Sequence, residues 1–379
     1  MSTHRTVVDT LGTAATAGET VVLATVVRVI GSSYGGVGTR MVVRVDGTTV
    51  GIVSGGCLES DLAEHARRVH AAGRAEVVSY DTRADDDAVW GLGLGCNGLI
   101  EVLLEPLSPT SGRAVAALLA RALDAVAPTV LATVMRTNAG AGAPAVGAHA
   151  LLTAEGPHVT GAWGDGRALG AATAHEHDAR QAGRRGLVHE DGDVQIAFEV
   201  VTPSVQLVVC GSGPDAVPVV HVAAPLGWTV TVVDHRPVEH AHPERFPEAR
   251  VVECADPLRL ADAVALGPRT AAVVMSHHFA RDADYLYALL AAGAAYVGVL
   301  GPRARTERML AELASRGLTP NATDGRLYGP VGLDIGGDGP DAIALAVVAE
   351  AAAVVNGRSG GHLRDRQAPL HSRIAARIG

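Results

Sequence analysis

Apolar residues follow two rhythms along this chain, and the change between them falls near residue 205. Before it, the apolar runs are short and β-branched. TVVLATVVRVI (20–30) predicts a strand, and RMVVRVDGTTVGIVS (40–54) predicts a hairpin turning at Asp46-Gly47. Leu58, Leu62, Ala66 and Val69 recur at helical spacing, and Gly73 predicts where that helix stops. A short helix over 6–18 and strands at 75–80 and 98–104 complete a first domain, 1–107. Residues 108–203 form a β-rich middle region. They carry a helix at 112–126, a strand at 129–136, a Gly/Ala loop, further short strands and an Arg/His-rich helical stretch at 166–185. VTPS (201–204) reads as a linker.

From 205 the chain alternates strand and helix. VQLVVC (205–210), TVTVVD (229–234), ARVVEC (249–254), TAAVVMS (270–276) and AAYVGVL (294–300) are buried-type apolar runs, most of them separated by helical segments. That alternation predicts a doubly wound parallel sheet. The fold class read from the pattern is α/β: a C-terminal Rossmann-like domain (204–357) beside an N-terminal α+β domain that carries cysteines. An Arg/Gly-rich tail, 358–379, is expected to be partly disordered.

The first of these strands runs into Gly211-Ser212-Gly213-Pro214-Asp215-Ala216. This is G-x-G-x-x-A. Gly211 permits the tight turn, Gly213 lets backbone approach a pyrophosphate, and Ala216 allows close helix–sheet packing. The helix that follows offers free N–H groups and partial positive charge. Asp234 lies 21 residues after Gly213, at the end of the next strand, where a carboxylate accepts from ribose hydroxyls and favours NAD. Arg236, just beyond it, is the kind of residue that meets the 2′-phosphate of NADP.

Two cysteines sit in glycine loops. Cys57 follows Ser54-Gly55-Gly56 at a strand-to-helix junction, where glycines leave room for a ligand to approach the thiol. Cys96 lies in Gly91-Leu92-Gly93-Leu94-Gly95-Cys96-Asn97-Gly98. Two such thiols suggest a soft-metal, sulfur or covalent site; the competing reading is two buried structural residues. Neither belongs to a CxxC spacing, which argues against zinc. Elsewhere, His277-His278 and Gly301-Pro302-Arg303 follow strands at the C-terminal sheet edge, where open α/β sheets bind ligands.

Composition narrows the chemistry. The chain has 379 residues, a formal charge of −9, and no lysine among its 31 basic side chains. A Schiff-base lysine, a pyridoxal-phosphate anchor and a Walker-type phosphate loop are thereby excluded. The acidic balance and the 3% aromatic content argue against nucleic acid or an anionic membrane as partner. No signal peptide is evident, and the longest nearly apolar run, Ala342 to Val355, contains Glu350 and is too short to span a bilayer. A soluble cytoplasmic protein is expected. Four scattered cysteines do not make a disulfide framework.

Taken together, these stretches resemble the XdhC/CoxI family of xanthine dehydrogenase accessory proteins. The matching pieces are the G-S-S loop at 31–33, SGGCLE, GLGCNG, VVCGSGPDA, VVDHR, MSHHFARDADYL, YVGVLGPRARTERML and the terminal GLDIGGDGPDAIALAVVAEAAAVVNG. The resemblance implies a homodimeric chaperone of molybdenum cofactor, the molybdopterin. Such a protein supports exchange of an oxo for a sulfido ligand, with sulfur from a cysteine desulfurase, and delivers the cofactor to a molybdenum hydroxylase. It places Cys57 and Cys96 near the molybdenum or its sulfur, and the cofactor's phosphate at a glycine-lined helix start. Two departures stand out: Tyr34-Gly35-Gly36-Val37 replaces the family's Pro and Arg, and Asn97 follows GLGC where Gly-Gly is usual. The intact fingerprint, Asp234 and His277/His278 keep a second function open, an NAD(P)-dependent oxidoreductase acting on a small metabolite.

Overall fold

The structure, a computed structural model, describes residues 4–31, 33–81, 98–138, 140–183, 186–318 and 325–366. Two compact units divide it, Met1–Pro203 and Ser204–Gly379.

The first unit holds two antiparallel five-stranded sheets. One contains β1 (Val21–Gly31), β2 (Arg40–Val43), β3 (Thr49–Gly51), β4 (Glu76–Asp81) and β5 (Gly98–Leu107), in the order β3-β2-β1-β5-β4. The other contains β6 (Thr129–Arg136), β7 (His149–Thr153), β8 (Gly156–Thr160), β9 (Leu187–Asp191) and β10 (Val194–Val201), in the order β8-β7-β6-β10-β9. Helices α1 (His4–Thr16) and α3 (Pro109–Leu123) join Leu23 and Leu107 of the first sheet and Leu131 and Leu151 of the second in one apolar cluster. Val27, Leu103, Met135 and Ala197 form a smaller one. Between the clusters the interior is polar: Arg40 pairs with Glu199, both buried. His149 Nε2 lies 2.9 Å from Glu105 Oε1 while its Nδ1 lies 2.9 Å from Thr133 Oγ1, again all buried. Each charge has a partner, the condition on which buried charge is tolerated.

Helix α2 (Glu59–Ala72) lays Leu62, Ala66 and Val69 on the first sheet and ends on Gly73 at φ 61°. The predicted helix at 112–126 begins three residues earlier, because Ser108 caps it through Ser111 N–H with Pro109 in its first turn. The helical stretch at 166–185 is two helices, α4 (Arg167–Ala174) and α5 (Glu176–Ala182), joined at His175.

The second unit is the doubly wound sheet. Strands β11 (Gln206–Cys210), β12 (Thr229–Asp234), β13 (Ala249–Glu253), β14 (Thr270–Val274), β15 (Tyr296–Val299) and β16 (Leu327–Tyr328) are parallel, in the order β13-β12-β11-β14-β15-β16. Counted from β11, this is the 3-2-1-4-5-6 order of dinucleotide-binding sheets, with its switch point between β11 and β14. Helices α6 (Ala216–Ala223) and α10 (Pro340–Val355) cover one face. Helices α7 (Leu260–Ala263), α8 (Phe279–Ala291) and α9 (Arg303–Ser315) cover the other. The two-residue β16 carries too little pattern to be seen in sequence.

Candidate functional site

Two groups of loops gather the chemistry, one in each unit. In the first, the chain leaves β3 and enters α2 through Val53-Ser54-Gly55-Gly56-Cys57-Leu58. Gly55 and Gly56 have φ of 77° and 109°, conformations that glycine adopts without penalty. The loop wraps a carboxylate that sequence reasoning did not single out. Glu59 Oε1 accepts from Val53 N–H (2.9 Å) and Ser54 N–H (2.7 Å). Its Oε2 accepts from Ser54 Oγ–H (2.6 Å) and Gly56 N–H (2.9 Å). Ser54 Oγ in turn accepts from Leu58 N–H at 2.7 Å. Burial pushes the Glu59 carboxyl up, but the bonds from Ser54 and Val53 outweigh it and hold the group below its usual range.

The consequence is a stiff loop with an exposed thiol at its tip, Cys57. Tyr34 lies against the loop: a Cβ added to Gly55 would stand 3.0 Å from its ring. The N–H groups of Val53, Ser54 and Gly56, in the loop before the helix, are taken by Glu59, so a phosphate would have to displace a carboxylate to reach them. Gly95 and Cys96 lie outside the described residues.

The second group stands at the C-terminal edge of the parallel sheet. Gly211 has φ 128°, and a Cβ there would meet the Ser276 backbone at 2.6 Å, so only glycine fits. Asp234 is almost wholly buried and each oxygen is used. Oδ2 accepts from Ser212 Oγ–H (2.6 Å), Ser212 N–H (3.2 Å) and Arg236 (2.8 Å). Oδ1 accepts from Arg236 Nε–H and N–H, both at 2.9 Å. Burial opposes the charge of Asp234, but the bonds from Arg236 and Ser212 hold its carboxyl far below the usual range. A ribose hydroxyl would therefore compete with an internal arginine fork.

His277 and His278 do different things. His277 has φ 61°, and its Nε2 lies 2.7 Å from Asp215 Oδ2. His278 starts α8, its Nδ1 accepting from Arg281 N–H over 3.5 Å, and its ring lies 5.9 Å from that of His235. Burial holds His235 below the ordinary imidazole range, partly offset by Asp234. Gly301 has φ 120°, and Arg305 packs where its side chain would be. Arg305 reaches Asp282 at 2.8 Å, and Asp282 receives the Ser276 hydroxyl at 2.5 Å, so this ion pair ties the first turn of α9 to α8 and to the loop after β14. Arg303 is exposed in the first turn of α9. Ala216 is fully buried at the start of α6, among the apolar residues of that face. Asp215, Glu59 and the Asp282–Arg305 pair had no spacing signal of their own.

A doubly wound sheet with this fingerprint, joined to a unit that presents a glycine-loop thiol, defines a class, and the comparisons with known proteins agree. Residues 207–351 match the XdhC Rossmann domain, and residues 14–81 match the XdhC and CoxI family. The chain is 31% identical over 333 residues, 88% of its length and 92% of the relative's, to a probable xanthine dehydrogenase subunit of Bacillus subtilis. It is 34% identical over 104 residues, 27% of its length and 32% of the relative's, to the molybdenum cofactor insertion chaperone PaoD of Escherichia coli. A crystal structure of a xanthine dehydrogenase from Bacillus halodurans superposes with a TM-score of 0.72 at 31% identity, covering 94% of this chain and 97% of that one. The chain belongs to the XdhC/CoxI family.

Proposed function

We propose that this protein is an accessory factor that binds molybdenum cofactor, supports its sulfuration, and hands it to a xanthine dehydrogenase-type hydroxylase. The observation that carries the reading is the Cys57 loop. A solvent-facing thiol stands at a helix start, on backbone clamped by the Glu59 carboxylate, with glycines beside it. A thiolate suits a soft molybdenum–sulfur centre. The relative named as a molybdenum cofactor insertion chaperone supports the same direction.

In this reading the cofactor is cargo. Cys57 meets the metal or its sulfur, the role that the family resemblance also gives to Cys96. Glu59 keeps the thiol in place without itself touching the cargo. The sulfur comes from a cysteine desulfurase, and the protein works as a cytoplasmic homodimer. No described helix is long and apolar enough to cross a membrane, which accords with this. The bonds that Arg236 and Ser212 make to Asp234 weigh against the alternative, a nicotinamide-dependent oxidoreductase.

Reconstitution tests the proposal. Apo-hydroxylase, free cofactor and a desulfurase are combined with and without this protein, and substrate oxidation by the hydroxylase is followed. The proposal expects activity that depends on the wild-type protein and is lost with Cys57→Ala. An unstimulated hydroxylase, together with nicotinamide reduction by the protein alone across small metabolites, overturns it.

A further inference from the structure

In dinucleotide-binding sheets the second fingerprint glycine has no side chain so that a pyrophosphate can close on its backbone. Here that space is filled from within. A Cβ built on Gly213 would stand 2.5 Å from Oδ1 of Asp215 and 3.9 Å from Cδ2 of His277. Asp215 is the N-cap of α6, yet its side chain makes no capping bond. An aspartate in that position ordinarily bonds to the N–H of the second or third helical residue. Its Oδ2 lies instead against His277 Nε2, at 2.7 Å.

His277 is one of two non-glycine residues with positive φ among the described residues. The left-handed region is sparsely populated by such residues and persists where surroundings impose it. That backbone brings the imidazole to Asp215 across 62 residues of sequence. Asp215 Oδ1 is shut from solvent with no hydrogen-bond partner. A phosphate brought to Gly213 would thus meet a carboxylate oxygen in its own space, an acceptor facing an acceptor. The acid that would hold the ribose, Asp234, is engaged by Ser212 and Arg236.

We propose that Asp215, held by His277, is a specificity-determining residue that closes the fingerprint loop to pyrophosphate-bearing nucleotides. On this account the sheet keeps the dinucleotide fold and binds neither NAD nor NADP at its fingerprint. The inference is independent of the cargo reading, which is decided at Cys57 and by the client enzyme.

Titration calorimetry on the full-length protein tests it, with ADP and NADH as ligands and with wild type, Asp215→Asn, Asp215→Gly and His277→Ala. Asparagine keeps the volume and removes the charge; glycine removes both; alanine at 277 frees the aspartate to swing away. Thermal melts confirm which variants fold. The expected result is no saturable binding of NADH to wild type, at most weak binding of ADP to wild type, and ADP binding at least about tenfold tighter, or 1.4 kcal/mol, in a folded variant. Micromolar binding of NADH to wild type overturns the proposal. So does a set of folded variants in which none gains affinity for ADP.

Discussion

At the residue scale, single carboxylates set the local chemistry. Glu59 satisfies three backbone N–H groups and one hydroxyl. Glu59→Ala leaves those donors to water, and the loop that carries Cys57 loosens while the sheet beneath it stays. Alkylation of Cys57, read by mass spectrometry, is expected to change in rate, with Glu59→Gln recovering part of the wild-type value. An unchanged rate in Glu59→Ala would show that the clamp does not position the thiol.

Asp234 makes a pH prediction. Its folded carboxyl is held below the value near 3.9 expected of an unfolded aspartate. Such a group stabilises the fold fully above that unfolded value, and the contribution is lost as pH falls through the folded one. Stability of the second unit should therefore fall more steeply below about pH 4 in wild type than in Asp234→Asn. The variant should be weaker at pH 7 by about 1–3 kcal/mol, by urea unfolding. Cys57 and Asp234 are both legible in the sequence, one from its glycines and the other from its spacing. Their partners are less so. A glutamate near a helix start reads as ordinary dipole placement, and only the folded loop turns the backbone of 53–56 toward it. Arg236 reads as a contact for a 2′-phosphate until its guanidinium is seen on Asp234.

At the scale of elements, β11, β12, β14 and β15 of the parallel sheet are legible because each is an apolar run buried along nearly its whole length, whereas the edge strand β13 is only partly buried and β16 is too short to read. Helix ends depend on local caps: Ser108-Pro109 starts α3 before the apolar periodicity begins, and His175 divides a stretch of continuous helical composition. The polar interior of the first unit is not legible, since Arg40 and Glu199 are 159 residues apart. Arg40→Met leaves Glu199 buried without a partner and should cost about 3–5 kcal/mol in denaturant unfolding. Adding Glu199→Leu should restore most of it, because replacing both members of a buried pair by apolar groups is often neutral. A double variant no more stable than the single one would contradict this.

At the scale of the whole molecule, the chain divides at Pro203–Ser204 into units with separate cores. Cooperative unfolding follows cores. Calorimetry should resolve two transitions, with Arg40→Met lowering one and Asp234→Asn the other. A single transition moved equally by both would show that the units unfold as one. The alternation of strand and helix after 205 is what makes this division legible, since it replaces one apolar rhythm by another. The pairing of the first unit's two sheets in one body follows from shared clusters such as Val27, Leu103, Met135 and Ala197, which no local pattern announces.

The role of Cys57 is open to a direct check by equilibrium binding of isolated molybdenum cofactor. Retained pterin is measured by fluorescence and molybdenum by elemental analysis, for wild type, Cys57→Ala and the control Cys254→Ala. Cys254 is buried just past the end of β13, away from solvent. The account predicts saturable binding to wild type and to Cys254→Ala, with pterin and molybdenum retained together, and a loss of about tenfold or more in Cys57→Ala. Equal retention by Cys57→Ala and wild type, or none by either, would contradict it.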